Sequence, residues 1–281
     1  MHINKVGLLY HPLVDTTRLK TQEISNFLHA QGINAWSRSA WETEIPGEVL
    51  SNTDLILTAG GDGTILRAAQ LAQRNQIPVT GINMGTLGFL TELKADEVLT
   101  QLPALLSGQG WLDERTMLEA RLLPVNPEGG PQALFLALND VVLARGAVAK
   151  LIQLKASIDD RPLTVYRADG LILATATGST GYSLAAGGPI LYPQSNDILL
   201  VPVASHLSLD YRMVLPSTST VKLQVISSGE ATLSIDGHIN IAVSNGATIE
   251  IKRSAKKTRF LRLHPQNDFF QVLEEKLRGK K

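Results

Sequence analysis

Residues 54–65 read DLILTAGGDGTI, an apolar run that stops at paired glycines and gives way to helical spacing over 65–73. Such a run is a buried strand, and a strand passing straight into a helix is half of a βαβ unit. The same alternation extends outward in both directions. Lys5–Tyr10 is a short apolar run ended by His11-Pro12. Thr16–Gln31 sets Ile24, Phe27 and Leu28 on one helical face with Gly32 as the stop, and Ile33–Trp36 reads as strand. Ile65–Gln73 reads as helix and Ile77–Asn83 as strand. Strands separated by helices imply a parallel sheet, so the N-terminal part is expected to be a Rossmann-like α/β domain.

After residue 95 the texture changes. A helix is expected over Ala95–Leu106. Beyond it, strand-like runs at 151–158, 221–226, 231–235, 248–252 and 259–263 lie among turn signals at 126–131, 159–162, 227–230 and 244–246. This pattern predicts a mainly β, sandwich-like C-terminal domain. The last segment, 267–278, returns to helix with Phe270, Leu273 and Leu277 on one face, expected to pack back on the first domain. The expected division is residues 1–95 joined by 265–281, and residues 96–264. No repeat of fixed period and no low-complexity tract is present.

Composition removes whole classes of function. The 281 residues carry 26 basic and 26 acidic side chains, so no net charge would hold the chain on nucleic acid or an anionic membrane. The absence of cysteine excludes disulfides, thiolate zinc sites, iron–sulfur clusters and cysteine nucleophiles. With no apolar run long enough to span a membrane and no signal-peptide pattern, a cytoplasmic protein is expected.

The glycine loop Gly60-Gly61-Asp62-Gly63-Thr64 is the sharpest chemical feature. At the carboxyl end of a strand, glycines let backbone N–H groups approach phosphate oxygens, and a following helix N-terminus adds partial positive charge. Asp62 would repel phosphates unless a cation bridges them or the carboxylate accepts a proton from a hydroxyl, so the loop points to phosphoryl transfer. The plainer alternative is a tight turn with Asp62 capping the helix. The loop lacks the Gly-Lys-Ser/Thr of a Walker A motif, and Leu66 stands where a GxGxxG fingerprint needs its last glycine.

A second constellation runs from Arg167-Ala168-Asp169-Gly170 through the strand 171–176 to the loop TGSTGYS at 177–183. Its hydroxyls and glycines suit close, directed hydrogen bonding to a nucleotide, and Tyr182 offers a flat face to a base or nicotinamide ring. Equally, it could be a polar turn whose Ser and Thr cap a helix. Ser179 lacks the G-x-S-x-G elbow of a hydrolase nucleophile. Asn139-Asp140 interrupts the apolar run 134–143, and two polar side chains there need partners. Ribose hydroxyls would serve, as would a β-bulge with local bonds. The glycine-spaced segment 81–90 reads as a further loop after a strand, or as a simple connection between layers. The six histidines show no i, i+4 pair, so no dedicated metal ligands are assigned, and a divalent ion would be held mainly through substrate phosphates.

Together, GGDGT at 60–64, GINMGTLGFLTE at 81–92, LND at 138–140, ADGLILATATGSTGYSLAAGGP at 168–189, HLSLDYRMVLP at 206–216 and IDGH at 235–238 resemble the NAD kinase family, in its order and across most of the chain. The first motif alone is shared with diacylglycerol and sphingosine kinases. The resemblance implies transfer of the terminal phosphoryl group of ATP, or in some members of polyphosphate, to the adenosine-ribose 2′-hydroxyl of NAD. It implies Asp62 as general base, with Gly60, Gly61, Gly63 and Thr64 shaping a phosphate loop. It implies Asn139 and Asp140 on a ribose, Asp169, Thr180, Gly181, Tyr182 and Ser183 along the dinucleotide pocket, and Arg67, Lys150 and Arg167 as basic positions near phosphates. Gly181 stands where relatives often have Ala, and His238 where many have Gln. The implied cofactors are ATP and magnesium, and the implied assembly is a homodimer or homotetramer built through the β-rich domain. A lipid-type kinase sharing GGDGT, or a silent NAD(P)-binding regulator, are the competing expectations.

Overall fold

The computed structural model describes residues 3–42, 45–85, 88–123, 133–146, 151–205, 211–227, 229–266 and 268–277. The chain begins β1 (Lys5–Tyr10), α1 (Asp15–Ala30), β2 (Asn34–Ser39), α2 (Gly47–Ser51), β3 (Leu55–Gly60), α3 (Asp62–Ala72), β4 (Val79–Asn83), β5 (Thr91–Lys94) and α4 (Val98–Leu106). It continues through β6 (Trp111–Leu123), β7 (Ala133–Ala137), β8 (Asp140–Arg145), β9 (Ile152–Ile158), β10 (Arg161–Ala168) and β11 (Gly170–Ala174). A 3-10 turn (Gly178–Thr180) and α5 (Tyr182–Ala185) lead to β12 (Ile198–Val203), β13 (Met213–Leu215), β14 (Thr220–Val225), β15 (Ala231–Ile235), β16 (Ile239–Val243), β17 (Thr248–Arg262) and α6 (Asp268–Leu277). Two compact units result: Met1–Glu114 with Lys257–Lys281, and Arg115–Lys256.

The first unit holds a parallel sheet in the order β2-β1-β3-β4. Beyond β4, Phe260 of β17 pairs with Val79, and β5 pairs further along. Val6, Leu8, Leu55 and Leu57 alternate toward one face, where Ile24 and Leu28 of α1 and Val98, Leu102 and Leu105 of α4 cover them. Helix α3 buries Ile65, Ala68, Ala69 and Ala72, and Gly81 of β4 leaves the space that Ile65 fills. The chain leaves β1 toward β2 and returns on the other side at β3, so the sheet reverses direction at the carboxyl ends of β1 and β3. A doubly wound sheet binds its ligands at that reversal.

The second unit is a sandwich. One antiparallel layer runs β13-β12-β11-β8-β15-β16, and the other contains β10-β9-β14 with the first part of β17. Between them pack Val141 and Leu143, Leu154 and Ala156, Leu171 and Leu173, Leu223, Leu233 and Ile249, all fully buried. The opposite face of the six-stranded layer carries Val142, Ile172, Ala174, Leu199 and Val201, against which Ala186 and Leu191 pack.

Two expectations are corrected. The runs at 248–252 and 259–263 belong to one strand of 15 residues, β17, because the basic stretch between them stays extended, with Ser254 and Thr258 buried, instead of turning. In α6, Phe270 and Leu277 are 60% and 59% exposed, so the face they define is not the inward one. Phe269 faces inward instead, 6.5 Å from Phe89, with Lys276 over the same ring at 5.1 Å. Among the described residues no helix is long and apolar enough to cross a membrane.

Candidate active site

The glycine loop closes β3 at Gly60, and α3 opens at Asp62, three residues earlier than hydrophobic spacing indicates. Asp62 and Gly63 therefore stand in the first helical turn, where unpaired N–H groups and the helix dipole favour an anion. Gly61 occupies the N-cap and makes no side-chain cap bond. The Asp62 carboxylate does not cap its own helix. It reaches the segment before β5, where the N–H of Phe89 donates to Oδ2 at 2.9 Å and the N–H of Leu90 donates to Oδ1 at 3.0 Å. Each oxygen keeps acceptor capacity for a further proton donor. A Cβ on Gly61 or Gly63 would meet no described residue within 4 Å, whereas Gly60 abuts the buried Thr64.

One turn along α3, Arg67 lies over the ring of Trp41 at 4.3 Å, and Trp41 meets His11 edge-on at 4.3 Å. Burial lowers the pKa of the Arg67 guanidinium. Its cationic face is thus engaged by an aromatic ring, a partner that hydrophobic spacing did not reveal.

In the second unit, Asn139 and Asp140 do not interrupt a continuous strand. The chain bends at 138–139 between β7 and β8, and the local-bulge alternative is replaced by a distant partner. Asp236 accepts from the backbone N–H groups of Leu138 at 2.9 Å, Asn139 at 2.7 Å and Asp140 at 3.2 Å. It sits with Gly237 in a turn at φ of 49° and 69°, which points its carboxylate back across the sheet. Thr175 donates to the carbonyl of Leu138 at 2.6 Å, and Gly178 passes so close to the Asn139 backbone that any Cβ would collide with it. Oδ1 of Asn139 and Oγ of Ser183 are buried with no hydrogen-bond partner among the described residues. Buried oxygens of this kind are rare without a ligand or water.

Asn139 lines a cavity of about 540 Å³ together with Asp140, Arg145, Tyr182, Asp236 and Asn240, among others. Burial, then the neighbouring Asp236 charge, raises the pKa of Asp140 to about 7. Asp169 pairs with Arg145 at 2.9 Å, which brings that arginine to the cavity wall.

The remaining candidates scatter. Ser179 and Thr180 donate to the carbonyls of Ala176 at 2.6 Å and Thr177 at 3.2 Å, shaping the 3-10 turn, and α5 receives no side-chain cap. Gly181 is the residue before α5, and Tyr182 presents a half-exposed ring to the cavity. His238 places Nδ1 3.1 Å from the carbonyl of Asp236, within its own turn. Arg167 is exposed on β10 opposite Gln153 and is not among the residues that line this cavity, whereas Arg145 is. Lys150, Thr86, Leu87 and residues 206–210 lie outside the described residues.

Of the other cavity-lining residues, the sequence reading quoted Asp236 only within the IDGH motif and did not single out Arg145, Ser234 or Asn240. Only Asp236 carried a signal, an acidic residue before glycine directly after the buried β15. The others became visible once β8, β15 and β16 were paired.

A family model described as the ATP-NAD kinase N-terminal domain matches residues 13–110, and one described as the ATP-NAD kinase C-terminal domain matches residues 138–263. An NAD kinase of Dehalococcoides mccartyi (strain CBDB1) is 48% identical over 275 residues, covering 98% of this chain and 96% of that one. The crystal structure of yeast NADH kinase complexed with NADH is similar with a TM-score of 0.89 and 28% identity, covering 100% of this chain and 89% of that one. An NAD kinase from Archaeoglobus fulgidus in complex with ATP shares the fold, with a TM-score of 0.79, 24% identity and coverage of 99% and 100%.

Proposed function

The chain belongs to the ATP-NAD kinase family, and from that premise we propose how its residues divide the phosphorylation of NAD to NADP. Both halves of the chain match that family, which leaves a lipid kinase sharing only the GGDGT loop without support. Asp62 is the general base that receives the proton of the adenosine-ribose 2′-hydroxyl. As that proton leaves, the hydroxyl oxygen forms a bond to the γ-phosphorus of ATP, the bond from γ-phosphorus to the bridging oxygen breaks, and ADP departs. A phosphoryl-transfer transition state asks mainly for positioning and charge compensation. Gly61, Gly63 and the first-turn N–H groups of α3 supply these for the donor phosphates.

Magnesium enters as part of the nucleotide substrate. Among the described residues no three His, Cys, Asp or Glu side chains gather into a metal cage, and magnesium characteristically binds through phosphates and water with few carboxylates. In the second unit, Asn139, Asp140, Tyr182 and Ser183 hold the dinucleotide, with Arg145 added to the set on the strength of its place at the cavity wall. Gly60 and Thr64 serve the loop's shape, and Gly181 and Thr180 that of the 177–183 segment. The two units correspond to a phosphate-loop domain and a dinucleotide-binding domain. Following the family, the chain works in the cytoplasm as a homodimer or homotetramer, which mass measurement in solution tests.

The observation that carries the assignment is the Asp62 carboxylate, gripped by two loop amides and directed away from its own helix beside two glycines at which a Cβ would meet no described residue. Its test is NADP formation from NAD, ATP and magnesium, followed with an NADP-specific dehydrogenase. Formation that disappears in Asp62→Asn supports the reading. Parallel reactions with NADH and with polyphosphate identify the preferred acceptor and donor, and no product from any pairing overturns it.

A further inference from the structure

Behind the segment that grips Asp62 lies a buried ionic cluster that the proposed chemistry does not use. Arg262, at the end of β17, is 7% exposed and stands against Glu92 and Asp113, of which Asp113 is 1% exposed. Its Nε donates to Asp113 Oδ2 at 3.3 Å. Its NH1 is shared among Glu92 Oε2 at 3.1 Å, the Leu90 carbonyl at 3.1 Å and the Thr91 carbonyl at 3.3 Å. Glu92 is fixed in turn, its Oε1 accepting from the N–H groups of Leu263 and His264 at 2.7 Å each. One guanidinium therefore holds three successive residues, 90 to 92, by two backbone carbonyls and a carboxylate.

The other side of the same segment is held by Asp62. Leu90 donates its N–H to Asp62 while its carbonyl accepts from Arg262, so a single residue links the two side chains. Gly88 donates its N–H to Thr91 Oγ1 at 3.2 Å, which closes the turn, and a Cβ on Gly88 would strike Asp62 Oδ1. A buried ion pair is a weak source of net stability, since desolvation offsets its attraction, so the geometry it fixes is the role to test. Only the planar guanidinium can serve donors at Nε and NH1 in fixed directions at once; an ammonium cannot.

We propose that Arg262 is a positioning residue for Asp62, setting the aim of the base through the backbone of residues 88–92; this rests on the reading of Asp62 as the base. A purely structural role would lower melting temperature and loosen substrate binding while leaving turnover per folded molecule intact. A positioning role lowers kcat alone.

Arg262→Lys keeps the charge and loses the fork, Asp113→Asn keeps an acceptor for Nε and loses the charge anchor, and Gly88→Ala pushes on Asp62 with Arg262 intact. For each, folding is followed by circular dichroism, NAD binding by titration, and kcat and KM by NADP formation. Arg262→Lys is expected to lose about ten-fold or more in kcat with both KM values within about two-fold of wild type. Asp113→Asn should show a smaller loss of the same kind, and Gly88→Ala a comparable one. Folded Arg262→Lys with wild-type kcat overturns the proposal, as does a loss of kcat matched by a rise in both KM values. If Arg262→Lys fails to fold, wild-type kcat in Asp113→Asn overturns it. Asp62→Asn runs alongside: its inactivity beside an unaffected Arg262→Lys rejects only the role of Arg262, whereas activity in Asp62→Asn rejects the base itself.

Discussion

Asp140 and Asp236 stand in the wall of one cavity, and backbone donors serve Asp236. Three backbone N–H groups donate to its carboxylate, whereas no hydrogen bond enters among the causes of the raised Asp140 pKa. Burial and the charge of Asp236 together bring Asp140 to about 7, so its protonation changes across the working pH range. Such a group is poised to gain partners from a ligand's hydroxyls.

The dinucleotide should therefore bind in a pH-dependent way. Ribose hydroxyls donate to an ionised carboxylate, so NAD affinity should rise by roughly ten-fold between pH 6 and pH 8 and then level off. Titration calorimetry across that range measures it, and Asp140→Asn should flatten the curve. A flat wild-type curve would remove Asp140 from the ribose.

The same shift makes a stability prediction of opposite sense. The native pKa lies above the unfolded value, so between about pH 4 and pH 7 the folded state binds more protons, and stability falls as pH rises through that window. The destabilisation is complete above about pH 7 and absent below about pH 4. Asp140→Asn should accordingly raise the melting temperature of the ligand-free protein at pH 8, by an amount worth a few kcal/mol at most, and leave it unchanged near pH 4. Equal effects at both pH values would contradict this.

Asp62→Asn should lower turnover by roughly 10²- to 10⁴-fold while NAD affinity stays within about two-fold. The amide oxygen can still accept from one of the two loop N–H groups, but the NH₂ confronts the other, so part of the loss is misplacement of residues 89–90. Stopped assays with a coupled dehydrogenase, beside direct NAD titration, separate the two quantities.

The strand-glycine-helix core of the first unit was legible because its apolar runs and stops are local. The aim of Asp62 was not, since its partners lie 27 and 28 residues away and are backbone amides, which no side-chain pattern encodes. The Asn139-Asp140 pair was legible as an anomaly in an apolar run, but its partner Asp236 lies about 100 residues downstream and required the β8–β15 pairing to be found. Arg167 and Arg145 show the limit from another side. Both are arginines near a strand end, and only the pairing of the strands tells which one reaches the cavity.

The glycines should separate by what a methyl group would meet. Alanine at Gly61 or Gly63 enters space clear of any described residue, so the folded state should tolerate either, and Gly63→Ala in the helix should gain up to about 1 kcal/mol. If that space takes the donor phosphates, as proposed, both should nonetheless raise the KM for ATP. Gly178→Ala drives a methyl into the Asn139 backbone and should cost about 1–3 kcal/mol or more with loss of NAD binding. Thermal melts and KM values for the three variants decide this, and an unchanged KM for ATP in Gly61→Ala and Gly63→Ala would place the triphosphate elsewhere.

Phe269 offers a last test of how the segment around Asp62 is held. Its ring lies 6.5 Å from Phe89, whose N–H donates to Asp62, and Lys276 covers the same ring. Helix α6 contributes no buried residue, so the Phe89 contact matters more to the local position of that ring than to global stability. Aromatic pairs of this sort are worth about 0.5–1.5 kcal/mol, which for a chain of this size corresponds to a melting shift of a few degrees. Phe269→Ala should therefore melt only slightly earlier, yet lose roughly two- to five-fold in kcat with NAD binding unchanged. Phe270→Ala, whose 60% exposed ring packs edge-on against Phe269 at 5.6 Å, should likewise melt only slightly earlier but keep wild-type kcat. Equal behaviour of the two variants would show that α6 takes no part in setting Phe89, leaving Asp62 to be aimed from the Arg262 side alone.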